Sequence, residues 1–91
     1  MTTQSAQGRV ILADDHPLFR GALSTAVSKA APGRALVETS TLAETLKALD
    51  EGRADLVCLD LHMADSSGFI GLAELRKNHP SAPVVVISAS Q

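Results

Sequence analysis

Two aspartates, Asp14 and Asp15, stand side by side where the apolar run "RVILA" gives way to "HP", and a third, Asp60, interrupts the apolar stretch "LVCLDL". Ser88 closes another such run, "VVVIS". Taken singly, each has a plain reading, because Asp and Ser at the end of a strand commonly serve a turn or cap a helix. Together they ask for more. Neighbouring carboxylates repel one another unless a cation sits among them, and a carboxylate inside an apolar run is costly to bury without a partner. A hard divalent cation would compensate all three, and an oxygen-only ligand set favours Mg2+. Beside such an ion a carboxylate can act as nucleophile toward a phosphoryl group whose charge the metal spreads. A serine hydroxyl and nearby backbone N–H groups would hold the remaining phosphoryl oxygens.

That chemistry requires elements that bring residues 14, 15, 60 and 88 to one place. "RVILA" (9–13) reads as a strand buried on both faces. Phe19, Ala22, Leu23, Ala26, Val27 and Ala30 then recur at spacings of three and four, which predicts a helix of about 14 residues with an apolar stripe, ended by "APGR". Pro17 suits its first turn, with Asp15 or His16 placed to cap it. "ALVETS" (35–40) predicts a weaker strand at a sheet edge. Thr41 and Glu44 form a capping box before Leu42, Leu46 and Leu49, with a stop at Gly52. "DLVCLDL" (55–61) predicts a third strand, "MADSSG" a loop, and 67–78 a helix halted by the two prolines of "NHPSAP"; "VVVIS" (84–88) predicts the fourth strand. Strands and helices alternating in this way predict a parallel α/β sheet with right-handed crossovers. In such sheets ligands bind beyond the carboxyl ends of the strands, where all four polar residues fall.

Composition narrows the class. The chain has 91 residues, 45% of them hydrophobic, enough for one core, and it reads as a tail over residues 1–8 followed by a single domain over 9–91. A formal net charge of −2, with no Trp or Tyr, argues against nucleic-acid contact by this chain. No apolar run is long enough to span a membrane and "MTTQSAQGRV" is not a secretory signal, so a cytoplasmic location is expected. The single cysteine, Cys58, sits in an apolar strand and reads as a buried, inert thiol. His16, His62 and His79 read as surface or capping residues rather than metal ligands.

"ADDHPLFRGAL", "LVCLDLHMADSSG" and "VVVISAS" resemble, in order and spacing, the receiver domain of two-component response regulators, most closely the NarL/FixJ (LuxR-type) branch, whose members carry a helix-turn-helix output domain. The resemblance runs from about Arg9 to the last residue. It implies a flavodoxin-like doubly wound sheet with strand order 2-1-3-4, the family's fifth strand and last helices not being present. It implies Asp60 as phosphoacceptor, a role distinct from that of an enzyme, with Mg2+ held directly by Asp15 and Asp60, by Asp14 through water, and by the backbone carbonyl of His62. Ser88 resembles the hydroxyl that moves toward the phosphoryl group, with the Ala89 N–H beside it, and His62 and Ser90 resemble positions that tune phosphoryl lifetime. A sensor histidine kinase is the implied donor and a DNA-binding output domain the implied target.

Departures from the family pattern carry their own expectations. Ala64 stands where proline is usual, which predicts a less rigid loop, while Gly68 is kept. The family's strand-end lysine lies beyond Gln91, and Lys29, Lys47 and Lys77 are not at a strand's carboxyl end, so impaired phosphorylation of this truncated form is expected. "PVVVISAS" becomes an apolar edge, through which a homodimer is expected. Two other readings exist. A flavin- or nucleotide-binding module is disfavoured by "ADDHP", which is anionic and lacks the glycines of a phosphate cradle. A receiver fragment that takes no phosphate and works as a dimerisation module is the alternative that the truncation raises.

Overall fold

Runs of branched apolar residues form the strands, and each is cut where proline, glycine or a charged residue intervenes. The computed structural model describes residues 8–87. They form β1 (Arg9–Ala13), α1 (Pro17–Ala30), β2 (Ala35–Thr39), α2 (Leu42–Glu51), β3 (Leu56–Asp60), β4 (His62–Met63), β5 (Ser66–Ser67), α3 (Ile70–Asn78) and β6 (Val84–Ile87). The main sheet is parallel throughout, in the order β2-β1-β3-β6. The predicted order 2-1-3-4 and the edge position of β2 both hold, β6 being the fourth strand of this sheet.

Alternation along the strands divides the core in two. Ile11, Ala13, Val57 and Leu59 face Leu42, Ala48 and Leu49 of α2 and Leu75 of α3. Val10, Leu12 and Cys58 face the other way, against Leu23 and Val27 of α1. Cys58 is buried as expected, and burial pushes its thiol pKa up, which keeps it protonated and unreactive.

Two elements differ from the sequence reading. The stripe on α1 is only partly used: Leu23 and Val27 pack on the sheet, while Ala22, Ala26 and Ala30 are exposed and Phe19 is 39% exposed. A single helix on this side of the sheet contacts it along a narrow line, so the wider apolar stripe is not covered among the described residues. The third helix begins at Ile70 rather than 67, because residues 62–67 close a small antiparallel hairpin, His62 opposite Ser67 and Met63 opposite Ser66. Gly68 then turns the chain with φ of +62°, a conformation costly for other residues.

The start of α2 is satisfied from two directions. Thr41 caps it, its Oγ1 accepting from the Glu44 amide at 3.0 Å, while Glu44 Oε1 accepts from the Ser40 amide at 2.8 Å. The Leu42 and Ala43 amides donate instead to the carboxylate of Asp65, at 2.7 and 3.0 Å, from the tip of the hairpin. These bonds, the one from Leu42 foremost, hold the Asp65 carboxyl below its ordinary value of 3.8. Asp65→Ala is therefore expected to cost about 1 kcal/mol at neutral pH, as loss of a helix cap does. A lowered folded-state pKa stabilises above the unfolded value and is lost as pH falls through the folded one, so the deficit should shrink only once pH drops below about 3.8. Urea titrations of both proteins at neutral and strongly acidic pH check this; a deficit that is constant across that range would contradict it.

Candidate metal and phosphoacceptor site

Register decides which carboxylates meet. Ala13 of β1 is paired with Leu59 of β3, so Asp14 and Asp60, the next residues, leave neighbouring strands at the same level. The chain turns away from β1 toward β2 on one side and reaches β3 on the other, which makes this the switch point where α/β sheets open a crevice. Asp14 is fully buried and Asp60 is 2% exposed, whereas Asp15 is partly open to solvent.

One oxygen of each buried carboxylate is occupied by backbone. Asp14 Oδ1 accepts from the His16 amide at 2.7 Å, and Asp60 Oδ1 accepts from the His62 amide at 3.0 Å. The other oxygen, Oδ2 in both, is buried with no hydrogen-bond partner. Buried polar atoms are ordinarily paired, so two orphans on adjacent strands mark a place built for a group that brings positive charge. The donor set fits a divalent cation: one ligand atom from each of Asp14, Asp15, Asp60 and His16 can be chosen so that all lie within 4.8 Å of one another.

The sequence reading placed His16 as a cap or surface residue and a poor ligand candidate; it is a surface residue, 53% exposed, but its ring turns to the acidic cluster. His16, not Asp15, occupies the N-cap position of α1, yet its side chain makes no capping hydrogen bond. Its Nδ1 lies instead 2.9 Å from Asp14 Oδ1 and 3.3 Å from both Asp15 Oδ1 and Asp60 Oδ2. The hydrogen bond with Asp14, with smaller contributions from the charges of Asp14, Asp15 and Asp60, raises its pKa despite some opposing desolvation. His79 keeps to the expected surface role, its Nε2 2.9 Å from Asp50 Oδ1. His62 is exposed on β4, and its backbone amide holds Asp60.

Arg20 escaped sequence reasoning altogether. One turn into α1, its Nη1 donates to the Asp14 carbonyl at 2.8 Å and to Ser40 Oγ at 3.0 Å, and its Nε donates to Glu38 Oε1 at 2.9 Å. The guanidinium thus ties the turn after β1 to the end of β2 and fixes the backbone that carries the acidic pair. An arginine four residues beyond the helix cap was the available signal. Ser88, Ala89 and Ser90 lie outside the described residues.

A cleft of about 650 Å3 is at the opposite end of the sheet, between the turn at Gly52–Asp55 and the segment from Asn78 to Pro83. Its Arg34 is already paired with Asp55, and it shares no residue with the acidic cluster. Among the described residues no helix is long and apolar enough to cross a membrane.

Residues 10–91 match the family described as response regulator receiver domain. Over 84 residues the chain is 39% identical to the glycerol metabolism activator of Pseudomonas putida, covering 91% of this chain and 38% of that protein. It is 31% identical over 81 residues to the nitrate/nitrite response regulator NarL of Escherichia coli, covering 89% of this chain and again 38% of the relative. The chain thus spans well under half the length of these relatives. Among solved structures it is similar to the response regulator TrrA of Thermotoga maritima in complex with Mg2+ and BeF, with a TM-score of 0.82 at 27% identity over 93% of this chain and 72% of that one.

Proposed function

We propose a phosphoacceptor role for this chain, which belongs to the response regulator receiver domain family, with Asp60 as the residue that takes the phosphoryl group. The observation that carries this reading is the pair of orphaned oxygens, Asp14 Oδ2 and Asp60 Oδ2, buried where β1 and β3 end together. Asp15 and Asp60 are assigned as direct ligands of Mg2+, with Asp14 acting through water and the His62 carbonyl completing the protein's share. Bound there, Mg2+ supplies positive charge to carboxylates and phosphoryl oxygens alike. The likeness to TrrA in its Mg2+ complex supports that choice of ion.

Asp60 attacks the phosphorus of a phosphohistidine on a sensor kinase. A carboxylate O–P bond forms, the imidazole N–P bond breaks, and the electron pair returns to the donor nitrogen. The His62 amide at 3.0 Å keeps Asp60 oriented during the attack. Ser88 and the Ala89 N–H are assigned to the phosphoryl oxygens, and the side chains of His62 and Ser90 to the lifetime of the acyl phosphate. The role is that of a substrate in signal transduction rather than of an enzyme. Likeness to NarL supports the NarL/FixJ branch, and likeness to the DNA-binding transcriptional regulator NtrC supports a DNA-binding output domain in the parent protein; a cytoplasmic setting goes with that reading.

Incubation with Mg2+ and a small phosphodonor or beryllofluoride, read by intact mass and by NMR shifts, tests the assignment. Asp60→Asn is expected to lose the response entirely. A response that survives the substitution would exclude Asp60 as acceptor.

The open edge of β6 favours one further role, association between copies. Val85 and Val86 are 48% and 37% exposed, Val84–Ile87 carry no charge, and among the described residues β6 pairs with β3 alone. Such an edge is a template for another strand. Sedimentation at high micromolar concentration is expected to show a dimer that Val85→Lys dissociates; a monomer in the unaltered chain would remove this role.

A further inference from the structure

The phosphoacceptor reading leaves the imidazole of His16 without a task, although it lies across the mouth of the acidic cluster. Resting on that reading of the cluster as a cation site, we propose that His16 is itself a ligand through Nδ1. The pocket then adds an imidazole to the carboxylates of Asp15 and Asp60, with Asp14 acting through water, and is suited to a divalent first-row transition cation above Mg2+.

The distances are those of atoms sharing one ion. With bonds of about 2.1 Å, adjacent ligands stand about 3.0 Å apart in an octahedron and about 3.4 Å apart in a tetrahedron. His16 Nδ1 is 3.3 Å from an oxygen of each direct ligand, Asp15 and Asp60. A second observation is independent of that spacing: Asp14 Oδ2, an atom in none of those distances, is fully buried with no hydrogen-bond partner.

The ring is also held in place by its own backbone. The His16 amide is fastened to Asp14 Oδ1 at 2.7 Å, and Pro17 restricts the residue before it to the extended conformation seen, φ −104° and ψ 100°. That conformation keeps His16 off the face of α1 and directs it back to the end of β1.

Donor chemistry then sets the preference. Mg2+ takes oxygen ligands and gives up its water reluctantly, whereas imidazole suits the later first-row ions. Adding one nitrogen to the oxygen ligands raises affinity for Co2+, Ni2+ or Zn2+ and does little for Mg2+.

Calorimetric titration of the full chain with Co2+ and with Mg2+ separately, at one pH, tests this. His16→Ala and His16→Gln are each expected to lower the ratio of Co2+ to Mg2+ affinity by about tenfold or more. A ratio unchanged, or affinities for both ions rising together as an internal competitor is removed, would overturn the assignment. The unaltered chain offers a check that needs no variant: with 15N-labelled histidine, Zn2+ should shift one ring nitrogen of His16, and no shift counts against it. Asp15→Asn and Asp60→Asn separate this inference from the reading beneath it. If they bind both ions as before, the cation site itself is wrong; if they lose both while His16 variants keep the ratio, only the role of His16 fails.

Discussion

Asp60→Asn is expected to melt at a higher temperature than the unaltered chain in EDTA, while losing the response to phosphodonor. Asp60 is 2% exposed and Asp14 is fully buried on the adjoining strand, each with one oxygen lacking a donor. Without a cation these like charges are compensated only by the half-exposed imidazole of His16. Asparagine keeps the shape, can still accept from the His62 amide, and offers an N–H₂ group to the neighbouring carboxylates. Removing a poorly compensated buried charge in this way is worth about 1–3 kcal/mol. In a domain of this size each kcal/mol moves the midpoint by about 4–8 °C. Mg2+ should close the gap, since a ligand at a hundred times its dissociation constant stabilises by about 2.7 kcal/mol and the variant has lost a ligand. Thermal melts in EDTA and in Mg2+ measure both effects. A variant less stable than its parent in EDTA would mean that Asp60 already has its partner within the protein.

Leu75→Ala is expected to cost about 2–5 kcal/mol, the usual range for emptying a fully buried leucine site. Leu75 has no exposed surface and sits among Ile11, Val57, Leu59 and Leu49, joining α3 to the sheet beneath α2. Few other residues of α3 serve that purpose: Leu72 is partly buried against the same cluster, and Gly71 lets the helix approach so closely that an added Cβ would lie 3.0 Å from Ser66 Oγ. Small domains have only about 5–15 kcal/mol in total, so the substitution removes a large share of it. Ile70, one turn earlier and 67% exposed, is the internal control; Ile70→Ala should stay within about 0.5 kcal/mol of the parent. Urea unfolding gives both numbers. Equal losses at the two positions would show that α3 is held by something other than its buried leucine.

The acidic cluster was legible because it needs only two facts that the chain states locally. Asp14 and Asp15 follow one apolar strand and Asp60 ends another, and parallel strands put all their carboxyl ends on one side. Cys58 and the Thr41–Glu44 cap were legible for the same reason, each resting on a few adjacent residues, while Gly68 stood out through the family resemblance. The small hairpin at 62–67 was not, since two residues per strand are too few to show alternation. Nor was the cap that Asp65 places on α2, whose partner amides are 22 and 23 residues earlier.

By itself, then, the order of residues determined four strands, three helices, a parallel sheet and the acids gathered at its rim, because periodicity and strand ends are properties of neighbours in the chain. Tertiary structure alone decided that His16 turns into the cluster instead of capping α1, that Arg20 braces the turn bearing the acids, and that much of the α1 stripe faces outward. Those outcomes depend on the strand register and on the few ångströms separating elements once packed, and neither quantity is written in any local run of the sequence.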